Sequence, residues 1–292
     1  MTPDELARPI TEMIGCTLQG VHELAPGRTR RALRLDTDAD PLFVKVRPAS
    51  QAGMFAAEAD GLALLRMVGA FRVPQVRAQG CDGGHAWLAL EWIDLHPVGT
   101  RDEGRAFGET LAALHANHGP HYGLARDNWL GDSPQENGTS ESWPLFYARK
   151  RLTPQLERAI EGGLRGQLVL DVQGIIERLA ALFLDYRPAA SLLHGDLWHG
   201  NAGIDPAGRP VVFDPAVYYG DRETDFAMTE LFGGFPTAMY AAYLGSAPLH
   251  HNAPDRRPLY RLHHLLNHYN LFGSSYLREA ERTAARLLSE LR

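Results

Sequence analysis

The chain has 292 residues, 45% hydrophobic and 22% charged, a globular balance that excludes disordered, collagenous and coiled-coil proteins. Its formal charge of −6 provides no global positive field to gather nucleic acid or an anionic membrane, and its two cysteines, Cys16 and Cys81, can build neither a disulfide framework nor a cysteine zinc site. Asp4, Glu5, Arg8 and Glu12 interrupt any leader-like apolar stretch, and no later run approaches about 18 apolar residues, so the expectation is a cytoplasmic protein with neither a membrane nor a nucleic-acid partner.

In chain order, partial alternation of apolar and polar residues over 18–24 and 32–35, around the turn formers Pro26-Gly27, predicts the first hairpin of a sheet. Leu42, Phe43, Val44 and Val46 form a β-prone run in which Lys45 is the odd member. Residues 51–68 switch to helical spacing, and Glu58, Leu62 and Leu65 fall on one face, which turns Glu58 inward. Strands are expected over 73–76 and 87–93, with Gly83-Gly84 as a turn between them.

A connector over 94–100 follows, so the chain divides into a smaller, mainly antiparallel β lobe with one key helix (1–93) and a larger, mainly helical lobe (94–292), an α+β arrangement. Helices are predicted over 102–117, 172–185, 226–244, 256–271 and 277–291, the first burying Phe107, Leu111, Leu114 and His115. Residues 119–144 read as one long loop of the kind that tends to have a functional reason.

The segment 192–214, LLHGDLWHGNAGIDPAGRPVVFD, concentrates the chemistry. Strands over 201–204 and 211–213 joined by a turn centred between Ala207 and Gly208 would set Asn201 directly across from Asp214. Asp196 lies in the entering loop, so two carboxylates and a carboxamide converge, a hard-oxygen set suited to magnesium or manganese beside a phosphate. Taken singly, an Asp at a strand end is commonly a turn or cap residue. The combination changes that reading. Asp196, Asn201 five residues on and Asp214 after a hairpin follow the protein-kinase order of catalytic-loop Asp, metal-binding Asn and second metal-binding Asp, and Lys45 with Glu58 follows the phosphate-clamping ion pair. Gly27 of the first hairpin is a candidate phosphate contact through its backbone, although Gly20 and Gly27 flank no G-x-G-x-x-G. Glu91, Trp92 and Ile93 end the last small-lobe strand, where backbone groups would meet adenine.

LLHGDLWHGN resembles the catalytic loop of aminoglycoside phosphotransferases, choline kinases and fructosamine kinases, all protein-kinase-like small-molecule kinases. DNWLGDSPQEN (127–137), SWPLFYARKRLTPQL (142–156), Trp198 after HGDL, FDPAVYYGDRETDFAM (213–228), LFGGFP (231–236) and LLNHYNLFG (265–273) are similar to the fructosamine kinase, or ketosamine-3-kinase, family over nearly the whole chain. The resemblance implies a bilobal kinase-like fold and transfer of the ATP γ-phosphoryl group to the O3 hydroxyl of a protein-bound or free ketosamine, whose phosphorylated adduct then sheds its sugar. Asp196 becomes the catalytic base, Asn201 and Asp214 the metal ligands, and Lys45 and Glu58 the phosphate-positioning pair, with His194 bracing the loop. Some relatives carry a cysteine in the first-hairpin turn linked to redox-sensitive dimerisation; here that stretch is Pro26-Gly27-Arg28-Thr29, and nothing fixes whether the chain is a monomer or a homodimer.

Several side chains admit two readings. Trp198 and His199 suit substrate contact, since an indole near the base offers apolar area and an N–H, with burial against the large lobe as the rival. His268 could reach the same pocket or be a hydrogen-bonded core histidine. Asp225 suits either a helix N-cap or a loop brace. His264 and His268, four apart, could chelate zinc but lack a third ligand, and His250-His251 read as solvent-facing or capping residues. The acceptor-side phrases LFGGFP and LLNHYNLFG contain no Asp or Glu, which disfavours an aminoglycoside- or choline-type kinase, and the full set Lys45, Asp196, Asn201 and Asp214 disfavours a non-catalytic module of the same shape.

Overall fold

The computed structural model describes residues 2–25 and 31–291. In order these form α1 (Pro3–Ile14), β1 (Leu18–Ala25), β2 (Arg31–Thr37), β3 (Leu42–Pro48), α2 (Ala52–Val68), β4 (Val76–Asp82), β5 (His85–Glu91) and α3 (Arg101–His115). There follow β6 (Tyr122–Leu124), β7 (Asn128–Leu130), β8 (Ser133–Gln135), β9 (Gly138–Ser140), α4 (Trp143–Tyr147), α5 (Thr153–Glu161) and α6 (Gln167–Arg178). The chain closes with β10 (Ser191–Leu193), β11 (Ala202–Ile204), β12 (Pro210–Val212), β13 (Tyr218–Gly220), α7 (Glu223–Leu231), α8 (Thr237–Ser246), α9 (Ala253–Phe272) and α10 (Leu277–Glu290). No helix among the described residues is long and apolar enough to cross a membrane.

Two compact units emerge, Met1–His96 with Ile204–Asp214, and Pro97–Gly203 with Pro215–Arg292. The sequence division after Ile93 therefore differs from the structural one: the first unit runs three residues further and takes back a segment from late in the chain.

In the first unit a five-stranded antiparallel sheet has the order β1-β2-β3-β5-β4. Leu42, Val44 and Val46 alternate into the core with Leu33 and Leu35, so Lys45 leaves the opposite face of β3. Helix α1, absent from the sequence expectation, covers this core with Leu6, Ala7 and Ile10. It starts at a reciprocal cap: the Thr2 hydroxyl accepts the Glu5 N–H at 3.2 Å and the Glu5 carboxylate accepts the Thr2 N–H at 2.7 Å. The strand expected over 73–76 begins instead at Val76, because Pro74 has no N–H to give a ladder. The Gly83-Gly84 turn has both residues at positive φ, 53° and 81°. Pro26-Gly27 lies outside the described residues.

The late segment is stitched to this unit by backbone bonds. Arg72 donates to the Pro210 carbonyl (3.0 Å) and accepts from Val212 (3.2 Å), while His96 and Ile204 exchange two bonds of 3.1 and 2.9 Å. Its turn is closed by Asp205 N–H to the Arg209 carbonyl (3.1 Å), which centres it on Ala207 and offsets the pairing by one residue from the expected register. Asn201 is correspondingly not a strand residue opposite Asp214. It ends a 3₁₀ turn, His199–Asn201, just before β11.

The second unit is mainly helical, with a core containing Trp143, Phe146, Tyr147, Leu152, Tyr218 and Tyr260. Its strands are three residues each, and β6, β7, β8 and β9 occupy the stretch expected to be one loop. Single-sequence patterning misses them because three residues carry no period. The single helix expected over 226–244 is two, broken at Phe232–Pro236 by Gly233 and Gly234 at φ 66° and 97°.

Candidate active site

In the first unit, Lys45 Nζ lies 2.6 Å from Glu58 Oε1 and also pairs with Asp214 Oδ1. Burial pushes the Lys45 ammonium down, but the charges of Asp214 and Glu58 outweigh it and leave its pKa raised. Burial raises the Glu58 carboxyl, with Lys45 opposing. The ammonium is thus held charged by two acids. Asp214 is half-exposed and, among the described residues, is the non-glycine one with positive φ, 55°, a conformation short polar side chains tolerate best.

Next to it, a cavity of about 280 Å³ is lined chiefly by apolar groups, Phe43, Pro74, Leu90, Trp92, Leu95 and Phe213 among them. The Trp92 indole donates to Asp94 at 2.8 Å and carries the Arg34 guanidinium on its face at 4.6 Å. The Glu91 N–H is taken by the Gln75 carbonyl (2.8 Å) and the Trp92 N–H by the Pro41 carbonyl (3.2 Å). The Glu91 carboxylate is occupied by Arg72 at 2.6 Å, and the same guanidinium holds buried Asp205 at 2.6 Å. Gly27 lies outside the described residues.

In the second unit the loop after β10 is fixed from below. Asp225, 1% exposed, accepts the N–H of His194 (2.7 Å) and of Gly195 (2.8 Å) and pairs with His115 Nε2 (3.2 Å), whose Nδ1 meets the Tyr243 hydroxyl (2.8 Å). Burial raises the Asp225 carboxyl, and these bonds, His115 first, more than reverse that. Asp225 is the third residue of α7, and its carboxylate serves the loop rather than capping the helix. Gly195 has φ 84°, and a Cβ there would stand 2.0 Å from the Ala216 carbonyl oxygen. His194 is fully buried and its Nδ1 receives the Asp196 N–H at 3.3 Å. The Asn201 amide donates to the Asp196 carbonyl (2.9 Å) and carboxylate (3.1 Å), which aims Asp196.

An aromatic group adjoins this loop. Trp198 lies on Gly200, where a Cβ would come within 2.3 Å of the indole, and meets His199 at 5.0 Å and Phe232 at 6.3 Å between ring centres. Phe232 in turn contacts His268 at 4.7 Å, and His268 contacts Tyr276 at 5.0 Å. His199 Nδ1 bonds the Gly233 carbonyl at 3.1 Å. Thus Trp198, His199 and His268, singled out in the sequence, belong to one cluster, joined by Phe232 and Tyr276, which had no motif to announce them beyond LFGGFP. His268 Nδ1 donates to the His264 carbonyl at 2.8 Å, which leaves Nε2 as an acceptor. His264 is buried, neither ring nitrogen has a hydrogen-bond partner, and burial pushes its pKa down to about 3. Among the described residues, His264 and His268 belong to no cluster of three metal-ligand groups.

The fructosamine kinase family model matches residues 4–290. A Synechocystis protein named as a probable ketoamine kinase is 42% identical over 240 residues, 82% of this chain and 80% of its own. The crystal structure of a Thermobifida fusca protein assigned as a fructosamine-3-kinase superposes with a TM-score of 0.87 at 36% identity, covering 98% of this chain and 99% of that one. An aminoglycoside phosphotransferase in complex with ADP and hygromycin B, 14% identical and covering 97% of each chain, shares the kinase-like α+β fold with a TM-score of 0.69. The chain is therefore a phosphotransferase with a hydroxyl acceptor, and it belongs to the fructosamine kinase family.

Proposed function

We infer that this protein transfers the γ-phosphoryl group of ATP to the O3 hydroxyl of ketosamines, and that the phosphorylated adduct then loses its sugar, so that the net effect is deglycation of an amine. The observation that carries this reading is the Asp196 carboxylate, aimed by the Asn201 amide at 3.1 Å on the loop that also presents Trp198. A sugar hydroxyl is a weak nucleophile, and phosphoryl transfer depends mainly on alignment and on neutralising charge at the transferring group. Asp196 orients the hydroxyl and accepts its proton late; the Lys45 ammonium, held charged by Glu58 and Asp214, meets the phosphates. The apolar cavity beside Trp92 and Ile93 takes the adenine.

The Asn201 carbonyl oxygen and the half-exposed Asp214 carboxylate are hard donors that fit magnesium or manganese. Such an ion, when bound, supplies positive charge to the phosphate oxygens. The aromatic cluster of Trp198, Phe232, His268 and Tyr276 offers an apolar face to the sugar, with His268 Nε2 as an acceptor.

The test is an assay with ATP and magnesium on a panel of fructosamine, ribulosamine, an aminoglycoside and choline, with phosphorus NMR on the product. A ketosamine 3-phosphate formed only from the first two is the expected result. Turnover of the aminoglycoside or choline with none on ketosamines overturns the reading.

A further inference from the structure

Asp185, His250 and His251, all in the second unit, have no part in the chemistry above. One ligand-type atom from each lies within 4.8 Å of the other two, His251 Nε2 is 4.0 Å from Asp185 Oδ2, and the two imidazole centres are 4.2 Å apart. Packing does not account for this convergence, since the Asp185 and His251 side chains are 56% and 76% exposed.

The two segments that carry them are nevertheless held firmly. Asn252 donates to Asp185 at 2.9 Å. Tyr186, next to Asp185, donates its hydroxyl to buried Asp221 at 3.0 Å and contacts the His250 ring at 4.9 Å. The Arg256 guanidinium of α9 lies over the Tyr186 ring at 3.8 Å while pairing with buried Glu223 at 2.7 Å. On the histidine side, Arg222 donates to the Ala247 carbonyl at 2.9 Å and to that of Pro248, and the Ala253 N–H holds the His250 carbonyl at 2.9 Å. Supported ligands of this kind need little reorganisation to close on an ion.

Two imidazole nitrogens and one carboxylate oxygen form a borderline set that favours zinc over magnesium, with water as the fourth ligand. Zinc bonds of about 2.0–2.2 Å put tetrahedral ligand atoms roughly 3.4 Å apart, so the observed cluster closes by about an ångström. Coordination would replace the long 3.4 Å contact from the Asn252 N–H to His250 Nδ1. We propose that Asp185, His250 and His251 bind one zinc ion and so tie the segment after the 3₁₀ helix Leu179–Phe183 to the start of α9.

The experiment is calorimetric titration of the chelator-treated full chain with zinc chloride in excess magnesium, repeated with cobalt(II) to read ligand geometry from visible absorption. One equivalent of zinc at micromolar affinity and a tetrahedral cobalt spectrum are expected. Losing a ligand costs at least as much as losing a ligand's support, so His251→Ala and Asp185→Asn should each weaken zinc by about tenfold or more and abolish the cobalt bands, with circular dichroism and magnesium-dependent kinase activity unchanged. Zinc binding of undiminished affinity in a His250→Ala/His251→Ala double variant overturns the proposal, as does the absence of micromolar binding by the parent chain.

Discussion

The Asp225 carboxylate accepts the backbone N–H of Gly195 at 2.8 Å, so a residue 30 positions downstream sets the path of the chain immediately before Asp196. Asp225→Ala strips two buried loop N–H groups and His115 of their acceptor, and each such loss costs about 1–3 kcal/mol. A fall in unfolding free energy of about 3 kcal/mol by urea titration is expected, together with a kcat loss of at least about tenfold and a smaller change in KM for ATP. Because the carboxyl is held below its ordinary value, its contribution is present above the unfolded carboxylate pKa of about 3.9 and is lost as pH falls through the folded one.

Gly195→Ala meets two obstacles, a left-handed backbone and a carbonyl oxygen 2.0 Å from the new methyl group. Activity should fall below detection. Because a positive φ alone costs a non-glycine residue about 1–2 kcal/mol, the midpoint of thermal unfolding should drop as well. A variant with parental kcat would show that the loop is free to take another path.

Lys45→Met removes the ammonium that Glu58 and Asp214 share. Glu58, already raised by burial, takes up a proton, so the fold survives while kcat/KM falls by about 10²-fold or more, the scale of a lost preorganised charge. Glu58→Gln should cost less, since Asp214 still faces the lysine. Steady-state kinetics on both, with circular dichroism as control, check the ranking.

For Asp196→Asn the expected loss in kcat is about 10²-fold or more, the scale of general-base help, with ATP binding by calorimetry unaffected. Trp198→Ala should instead act on the acceptor. Loss of an aromatic contact worth roughly 1 kcal/mol raises the ketosamine KM about fivefold and leaves the ATP KM alone. The opposite split, with ATP affected and ketosamine not, would place Trp198 outside acceptor binding.

Arg72→Met leaves buried Asp205 with backbone donors and Arg209 alone. The expected destabilisation is about 2 kcal/mol near neutral pH, the scale of a hydrogen bond to a charged group. The Asp205 carboxyl is lowered, its hydrogen bonds outweighing burial. The difference between parent and variant should therefore be full above pH of about 4 and shrink as acid protonates the carboxylate. Urea titrations at a series of pH values measure it.

Much of this arrangement was legible in the letters. Lys45 announced itself as the charged residue set between Val44 and Val46 in an apolar run, and Glu58 by sharing a face with Leu62 and Leu65. The spacing of Asp196 and Asn201 carried the loop. The register of Asn201 against Asp214 was misread because Asp205–Arg209 closes on an odd number of residues, a choice made by the Asp205 carboxylate capping the N–H groups of Ala207 and Arg209. Phe232 and Tyr276 escaped notice since aromatic packing between segments distant in sequence leaves no periodic trace. The break at Phe232–Pro236 was spelled by two glycines and a proline, yet the apolar spacing on either side read as continuous.

The assignment of residues 204–214 to the first unit bears on how the protein is made. Arg72 emerges from the ribosome 133 residues ahead of Asp205, and Lys45 precedes Asp214 by 169. At about 5–20 residues per second, the nascent amino-terminal sheet waits roughly ten to thirty seconds for the strand and carboxylates that complete it. A gene fragment ending at the connector would yield the sheet without them. Separate expression of the two halves should therefore give a first unit that keeps Glu58 beside Lys45 but lacks Asp205 and Asp214, and dissection of this enzyme calls for circular permutation rather than truncation.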